Sequence, residues 1–143
     1  MKIFLDIDGV ICLDDWHKPS IDLLNKLIKE TDAKIVFTTD RILNTGFPEL
    51  ECELKHVGLV FNEYDCIEKD YHTNICLLEE NRCKQIVDYL NKHQITDNFI
   101  ILDDLQLSKC FIDENEWINK YFIQTNYTVG LKGKENIILK LIK

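Results

Sequence analysis

The stretch KIFLDIDGV, residues 2–10, decides the fold and directs the search for function. Its first half is a nearly continuous apolar run, which is typical of a strand buried on both faces of a parallel sheet. The run ends by placing Asp6 and Asp8 directly before Gly9. Because burying an unpaired carboxylate costs several kcal/mol, we expect positive charge beside these two aspartates.

Other apolar runs along the chain have the same strand-like character. They cover residues 33–37, 98–102 and 121–125, with a weaker run at 56–61. Between the runs the apolar residues follow a helical period. Helices are predicted to begin at Pro19 and Ser20, to lie near residues 82–92, and to follow Gly133.

Strands that alternate with helices form right-handed crossovers within a parallel sheet. The sequence therefore predicts a single α/β domain over residues 1–143. Its core is a doubly wound, Rossmann-like parallel sheet of about five strands with helices on both faces. The segment 42–81 fits this scheme least well, and long irregular connections are often functional, so it is a candidate lid.

The composition narrows the classes of function. The chain has 143 residues, six cysteines without a CxxC pair, and a net charge of -8. The cysteines are not grouped with histidines at zinc-ligand spacing, so we expect reduced thiols. The acidic balance argues against generic binding to nucleic acid or to an anionic membrane, although a local basic pocket remains open. No apolar run approaches the length of a membrane span and residues 1–9 lack signal-peptide features, so we expect a cytoplasmic protein.

Acidic and hydroxyl side chains follow three of the apolar runs. Ligands of open parallel sheets bind at the carboxyl ends of the strands, where such residues meet. The groups are Asp6 with Asp8, Thr38 with Thr39 followed by Asp40 and Arg41, and Asp103 with Asp104. So many like charges repel unless a hard divalent cation lies among them. The sequence predicts Mg²⁺, with Asp6, Asp8, Asp103 and Asp104 as the candidate ligands.

The two aspartates of the first run are the candidate catalytic residues. A carboxylate in line with a bound phosphoryl group can attack it, which assigns Asp6 as the nucleophile of an aspartyl-phosphate mechanism. Asp8 lies two residues further on, on the same side of an extended strand. It can protonate the leaving oxygen and then activate the water.

The substrate phosphate needs donors and positive charge. The hydroxyl of Thr38 and groups near Thr39 can hold phosphate oxygens, and Gly9 lets the chain turn sharply beside the ligand. A cation at the start of the helix near residue 82 can neutralise the remaining charge. Arg82 and Lys84 are both candidates.

In its acidic motifs the sequence resembles the haloacid dehalogenase-like (HAD) superfamily of phosphohydrolases. The first family motif, DxDG after an apolar strand, is matched by residues 6–9, and the second, a Thr or Ser after the next strand, by Thr38. A pair of acids after a later strand is matched by Asp103 and Asp104. The resemblance implies that Asp104 is the direct metal ligand of that pair.

The third family motif is a Lys or Arg that opens the helix before that strand. The stretch NRCKQIVDYL, which starts at Asn81, resembles the pattern KRGxEIxxWL. This places Arg82 in the motif and leaves Lys84 as the reserve candidate. More narrowly, the chain is similar to the small HAD domains of Swiss Army Knife RNA-repair proteins, and no cap domain of the usual size fits between its motifs.

These inferences favour a Mg²⁺-dependent phosphomonoesterase whose substrate is a small phosphorylated metabolite or a nucleotide. One alternative is a phosphate-sensing or phosphoryl-accepting regulator of HAD-like fold with little turnover. A second alternative is a phosphatase of polynucleotide ends, because a site without a large cap is open enough for a terminal phosphate. The sequence does not predict the oligomeric state.

Overall fold

The computed structural model describes residues 1–69 and 77–142. Its strands are β1 (Lys2–Leu5), β2 (Lys34–Phe37), β3 (Tyr64–Cys66), β4 (Phe99–Asp103) and β5 (Phe122–Gln124). Its α-helices are α1 (Lys18–Thr31), α2 (Ile42–Thr45), α3 (Phe47–His56), α4 (Leu78–Lys92) and α5 (Glu135–Ile142). Short 3-10 helices cover Leu107–Lys109 and Asp113–Tyr121.

The five strands form one parallel sheet in the order β3-β2-β1-β4-β5. The chain winds outward from β1 through β2 to β3, then crosses back to β4 on the other side of β1. Strand order therefore reverses between β1 and β4, which is where an open α/β sheet forms its binding crevice. The prediction of a doubly wound, five-stranded α/β fold is confirmed, and the described residues contain no large cap domain.

Alternate residues of each strand pack on opposite faces of the sheet, as the pleat requires. On one face, Ile3 and Leu5 join a buried cluster with residues of α1, α3 and α5, among them Leu24. On the other face, Phe4 packs in a second cluster that includes Ile86 of α4. β1, β2 and β4 are buried on both sides, which explains their continuous apolar runs.

The prediction of a weak strand at residues 56–61 is wrong. His56 is the last residue of α3, and the third strand of the sheet is β3, which begins several residues later. Leu59 and Phe61 are buried in the core from an irregular connection, and this produces the misleading apolar pattern. β3 has only three residues and lies at a sheet edge, so its sequence YDC carries no apolar signature.

The segment 42–81 contains α2, α3 and β3. Residues 70–76 of this candidate lid, which include Cys76, lie outside the described residues. Among the residues that are described, no helix is long and apolar enough to cross a membrane.

Candidate active site

The register of the sheet brings the residues after β1, β2 and β4 to one level. Leu5 pairs with Phe37 of β2 and with Leu102 of β4. The backbone N–H of Asp6 donates to the Leu102 carbonyl at 3.0 Å, and the N–H of Thr38 donates to the Leu5 carbonyl at 2.9 Å. The side chains that follow each strand therefore meet at the reversal of strand order.

Three carboxylates gather at this point and form the acidic centre of the protein, namely Asp6, Asp103 and Asp104. Each offers an oxygen, and these oxygens lie within 4.8 Å of one another. Asp6 is 5% exposed and Asp103 is fully buried. Gly9 makes room for this arrangement, because a Cβ at residue 9 would lie 2.5 Å from Cγ of Asp104 and the residue has a φ of +80°. Only glycine is readily accommodated there.

Arg82 supplies the positive charge that the sequence predicts beside the buried Asp6. Its side chain is 3% exposed, and Nη1 donates to Oδ2 of Asp103 at 2.6 Å and lies 3.5 Å from Oδ2 of Asp6. Nη2 donates to Oδ2 of Asp40 at 3.2 Å. One buried arginine thus contacts carboxylates at the carboxyl ends of β1, β2 and β4.

Two buried polar atoms beside the acidic centre have no hydrogen-bond partner among the described residues. They are Oγ1 of Thr38 and Nε of Arg82. Leaving a buried polar group unsatisfied costs about 1–3 kcal/mol. Both atoms are donors, so the residues beside the converging carboxylates carry hydrogen-bonding capacity that the described protein groups leave unused.

Asp8 lies apart from the three clustered carboxylates. Its side chain is 41% exposed and forms a bidentate ion pair with Arg41, whose Nη2 is 2.8 Å and whose Nε is 3.1 Å from the carboxylate oxygens. The guanidinium of Arg41 also stacks over the ring of Trp16, with Cζ 5.1 Å from the ring centroid. The side chain of Asp8 therefore faces the mouth of the site.

Two other residues predicted to bind substrate, Thr39 and Lys84, have different surroundings in the structure. Thr39 is buried, and its hydroxyl accepts a hydrogen bond from the backbone N–H of Arg41 at 3.2 Å, so it shapes the turn after β2. Lys84 is exposed and pairs with Asp88 of the same helix at 2.9 Å. The structure brings Arg82 to the acidic centre and does not bring Lys84 there.

The sequence analysis missed Lys69 and gave no role to Asp40. Lys69 is buried, and its Nζ lies 2.9 Å from Oδ1 of Asp40. The sequence predicts the third strand too early in the chain, at residues 56–61, so the residues that follow the true β3 are not among the predicted site residues. Thr125 was missed as well: its hydroxyl donates to the Gly9 carbonyl at 2.7 Å and fixes the turn beside the acidic centre.

The acidic centre fits a hard divalent cation, because it presents three oxygen ligands and excess negative charge. Burial and the nearby charge of Asp6 raise the pKa of Asp103 to about 7, even though Arg82 opposes the shift. Burial and the same neighbour raise the pKa of Asp104 to about 6. Without a cation, these carboxyls are therefore held partly protonated near neutral pH.

The raised pKa values predict how Asp104→Asn changes stability with pH. A carboxyl whose pKa is higher in the folded state stabilises the fold below its unfolded pKa, near 3.9, and loses this contribution as the pH rises through its folded pKa. Without metal, the free energy of unfolding of Asp104→Asn relative to wild type should therefore increase between about pH 4 and pH 7. Urea unfolding across this range measures the difference, and a constant difference would contradict the prediction.

The order of the acids, the threonine and the arginine along the sheet is the one expected for a HAD-type hydrolase domain. Comparison with protein families agrees, since residues 2–135 match the model described as the HAD domain in Swiss Army Knife RNA repair proteins. The chain belongs to this family, which indicates phosphohydrolase activity and use of a divalent metal. Searches of curated proteins and of solved structures gave no significant match.

Proposed function

We propose that the protein is a Mg²⁺-dependent phosphomonoesterase that acts through a phosphorylated Asp6. The observation that carries this proposal is the combination of two unpartnered buried donors, on Thr38 and Arg82, with three converging carboxylates. The donors suit phosphate oxygens, and the carboxylates suit a hard cation and a nucleophile.

In the proposed reaction the buried Asp6 is the nucleophile and the partly exposed Asp8 transfers the protons. A carboxylate oxygen of buried Asp6 attacks phosphorus, and the bond between phosphorus and the ester oxygen breaks. Asp8, half-exposed at the mouth, gives its proton to the departing oxygen. Asp8 then takes a proton from water, whose oxygen attacks the phosphorus, so that phosphate leaves and Asp6 is restored.

The cation would be held by the carboxylates of Asp6, Asp103 and Asp104. When bound, it offsets the negative charge of the carboxylates and of the phosphate group. Thr38 and Arg82 would orient the phosphate oxygens through their free donors. Asp8 is not one of the three clustered carboxylates and its side chain is partly exposed, so it is the carboxylate assigned to proton transfer.

The site suits a terminal phosphate. The described residues include no large cap, and Asp8 lies at the open side, so the leaving group would extend toward solvent. A small phosphorylated metabolite or a nucleotide satisfies this geometry. The phosphorylated end of a polynucleotide is the second candidate, and it is favoured by the RNA-repair description of the family.

Phosphate release from a panel of phosphoesters, with and without Mg²⁺, tests the proposal. The panel includes nucleotides, sugar phosphates and oligonucleotides with a terminal phosphate. We expect turnover with Mg²⁺ and its loss in excess EDTA. At a hundred times its dissociation constant, Mg²⁺ should also add about 2.7 kcal/mol to the free energy of unfolding. Lasting phosphorylation of Asp6 without phosphate release would favour the regulatory alternative, and no effect of Mg²⁺ on either measurement would contradict the proposal.

A further inference from the structure

We propose that Lys69 is a positioning residue, which sets the distance between the two unpartnered donors, Oγ1 of Thr38 and Nε of Arg82. Lys69 lies in the connection after β3 and has no part in the reaction described above. The inference rests on the proposed function, because it concerns the same phosphate site.

The ammonium group of Lys69 is fully occupied by protein acceptors. Its side chain is 4% exposed, and Nζ lies 2.9 Å from Oδ1 of Asp40. It also donates to the backbone carbonyl of Thr38 and, at 3.0 Å, to Oε1 of Gln85. An ammonium has three N–H donors, so none is left for a substrate. The contacts therefore suit a residue that holds other groups in place.

These contacts join two parts of the site. Thr38 and Asp40 belong to the turn after β2, whereas Gln85 lies on α4, three residues after Arg82 and on the same side of the helix. A second connection runs through Asp40, whose other carboxylate oxygen accepts from Nη2 of Arg82 at 3.2 Å. Lys69 thus connects the turn that carries one free donor to the helix that carries the other.

The positive charge of Lys69 is needed to balance the carboxylate of Asp40, so a neutral residue could not replace this lysine. Two cations, Lys69 and Arg82, share the Asp40 carboxylate. Burial and the charge of Arg82 lower the pKa of Lys69. If Lys69 lost its charge, Asp40 would be balanced by Arg82 alone and would draw the guanidinium away from Asp103. The spacing of the two donors would then change, and phosphate binding would weaken.

Inorganic phosphate in the presence of Mg²⁺ is the probe for this role. We expect Lys69→Met to raise the dissociation constant of phosphate, measured by calorimetry, about tenfold. The KM for a phosphomonoester should rise by a similar factor, with kcat changed by about threefold at most. Lys69→Arg should restore binding to within about threefold of wild type. Lys92→Met is the matched control, because it removes an exposed lysine that lies 3.8 Å from Glu68.

A purely structural role for Lys69 would lower the melting temperature and leave the phosphate affinity of the folded protein unchanged, and that result would overturn the inference. Asp40→Asn provides a second measurement in case Lys69→Met does not fold. It breaks the connection to Arg82 and should also weaken phosphate binding, and unchanged affinity there would likewise overturn the inference. A wild-type protein that binds phosphate without hydrolysing esters would instead remove the proposed function, while the affinity comparison would still decide the role of Lys69.

Discussion

Asp6→Asn is expected to abolish turnover, with kcat reduced by at least about a thousandfold, and to leave the fold intact. The amide oxygen of asparagine is a poor nucleophile, so the phosphoryl group has no acceptor. The side chain keeps its size, and Arg82 keeps its contacts with Asp103 and Asp40. Removing one of the clustered negative charges should leave stability without metal unchanged or raise it.

Phosphate release and chemical denaturation measure these two effects separately. Asp14→Asn is a suitable control, because Asp14 is an exposed acid in the connection after β1. With a phosphoester whose leaving group needs no proton, Asp8→Asn should form the phosphorylated Asp6 and hydrolyse it slowly, so that mass spectrometry detects an added phosphoryl group on residue 6. Full activity of Asp6→Asn would rule out covalent catalysis by this residue.

The carboxyl edge of the sheet could be predicted because it follows from local signals. An apolar run predicts each buried strand. In a parallel sheet the residues that follow these strands must lie at the same edge. The sequence alone therefore predicts that Asp6, Thr38 and Asp103 lie together. It does not predict Lys69 at this edge, because β3 is a three-residue edge strand with an exposed first residue and so has no apolar run.

The motif alone admits both Arg82 and Lys84 as the cation, whereas helical periodicity distinguishes them. Residues 82, 86 and 90 lie on one face of α4, and Ile86 and Leu90 are buried. Arg82 continues this buried face, whereas a residue two positions later points away from it. The ion pair of Asp8 with Arg41 had no such signal, because it depends on how the turns after β1 and β2 pack against each other.

Among the variants described here, Arg82→Met is expected to lower the free energy of unfolding the most. Removing one partner of a buried ion pair leaves the other charge uncompensated, which typically costs about 3–5 kcal/mol. Here the fully buried Asp103 would lose the donor that lies 2.6 Å from its Oδ2. Urea unfolding near pH 8 without metal measures the loss. Lys84→Met, which removes an exposed lysine of the same helix, should change the free energy of unfolding by no more than about 0.5 kcal/mol.

The pH dependence of this loss separates charge from packing. Arg82 stabilises the ionised form of Asp103, so its contribution should be present at high pH and should shrink as the pH falls through the raised pKa of Asp103, about 7. Arg82→Met with Asp103→Asn should likewise recover most of the lost stability, because no buried charge then remains unpaired at residue 103. If the loss were the same at pH 5 and pH 8, Arg82 would not act by stabilising the ionised form of Asp103, and its assignment as the cation that neutralises this carboxylate would have to be abandoned. Should Arg82→Met fail to fold, Arg82→Lys keeps the positive charge without the forked contacts, and the same pH comparison applies to it.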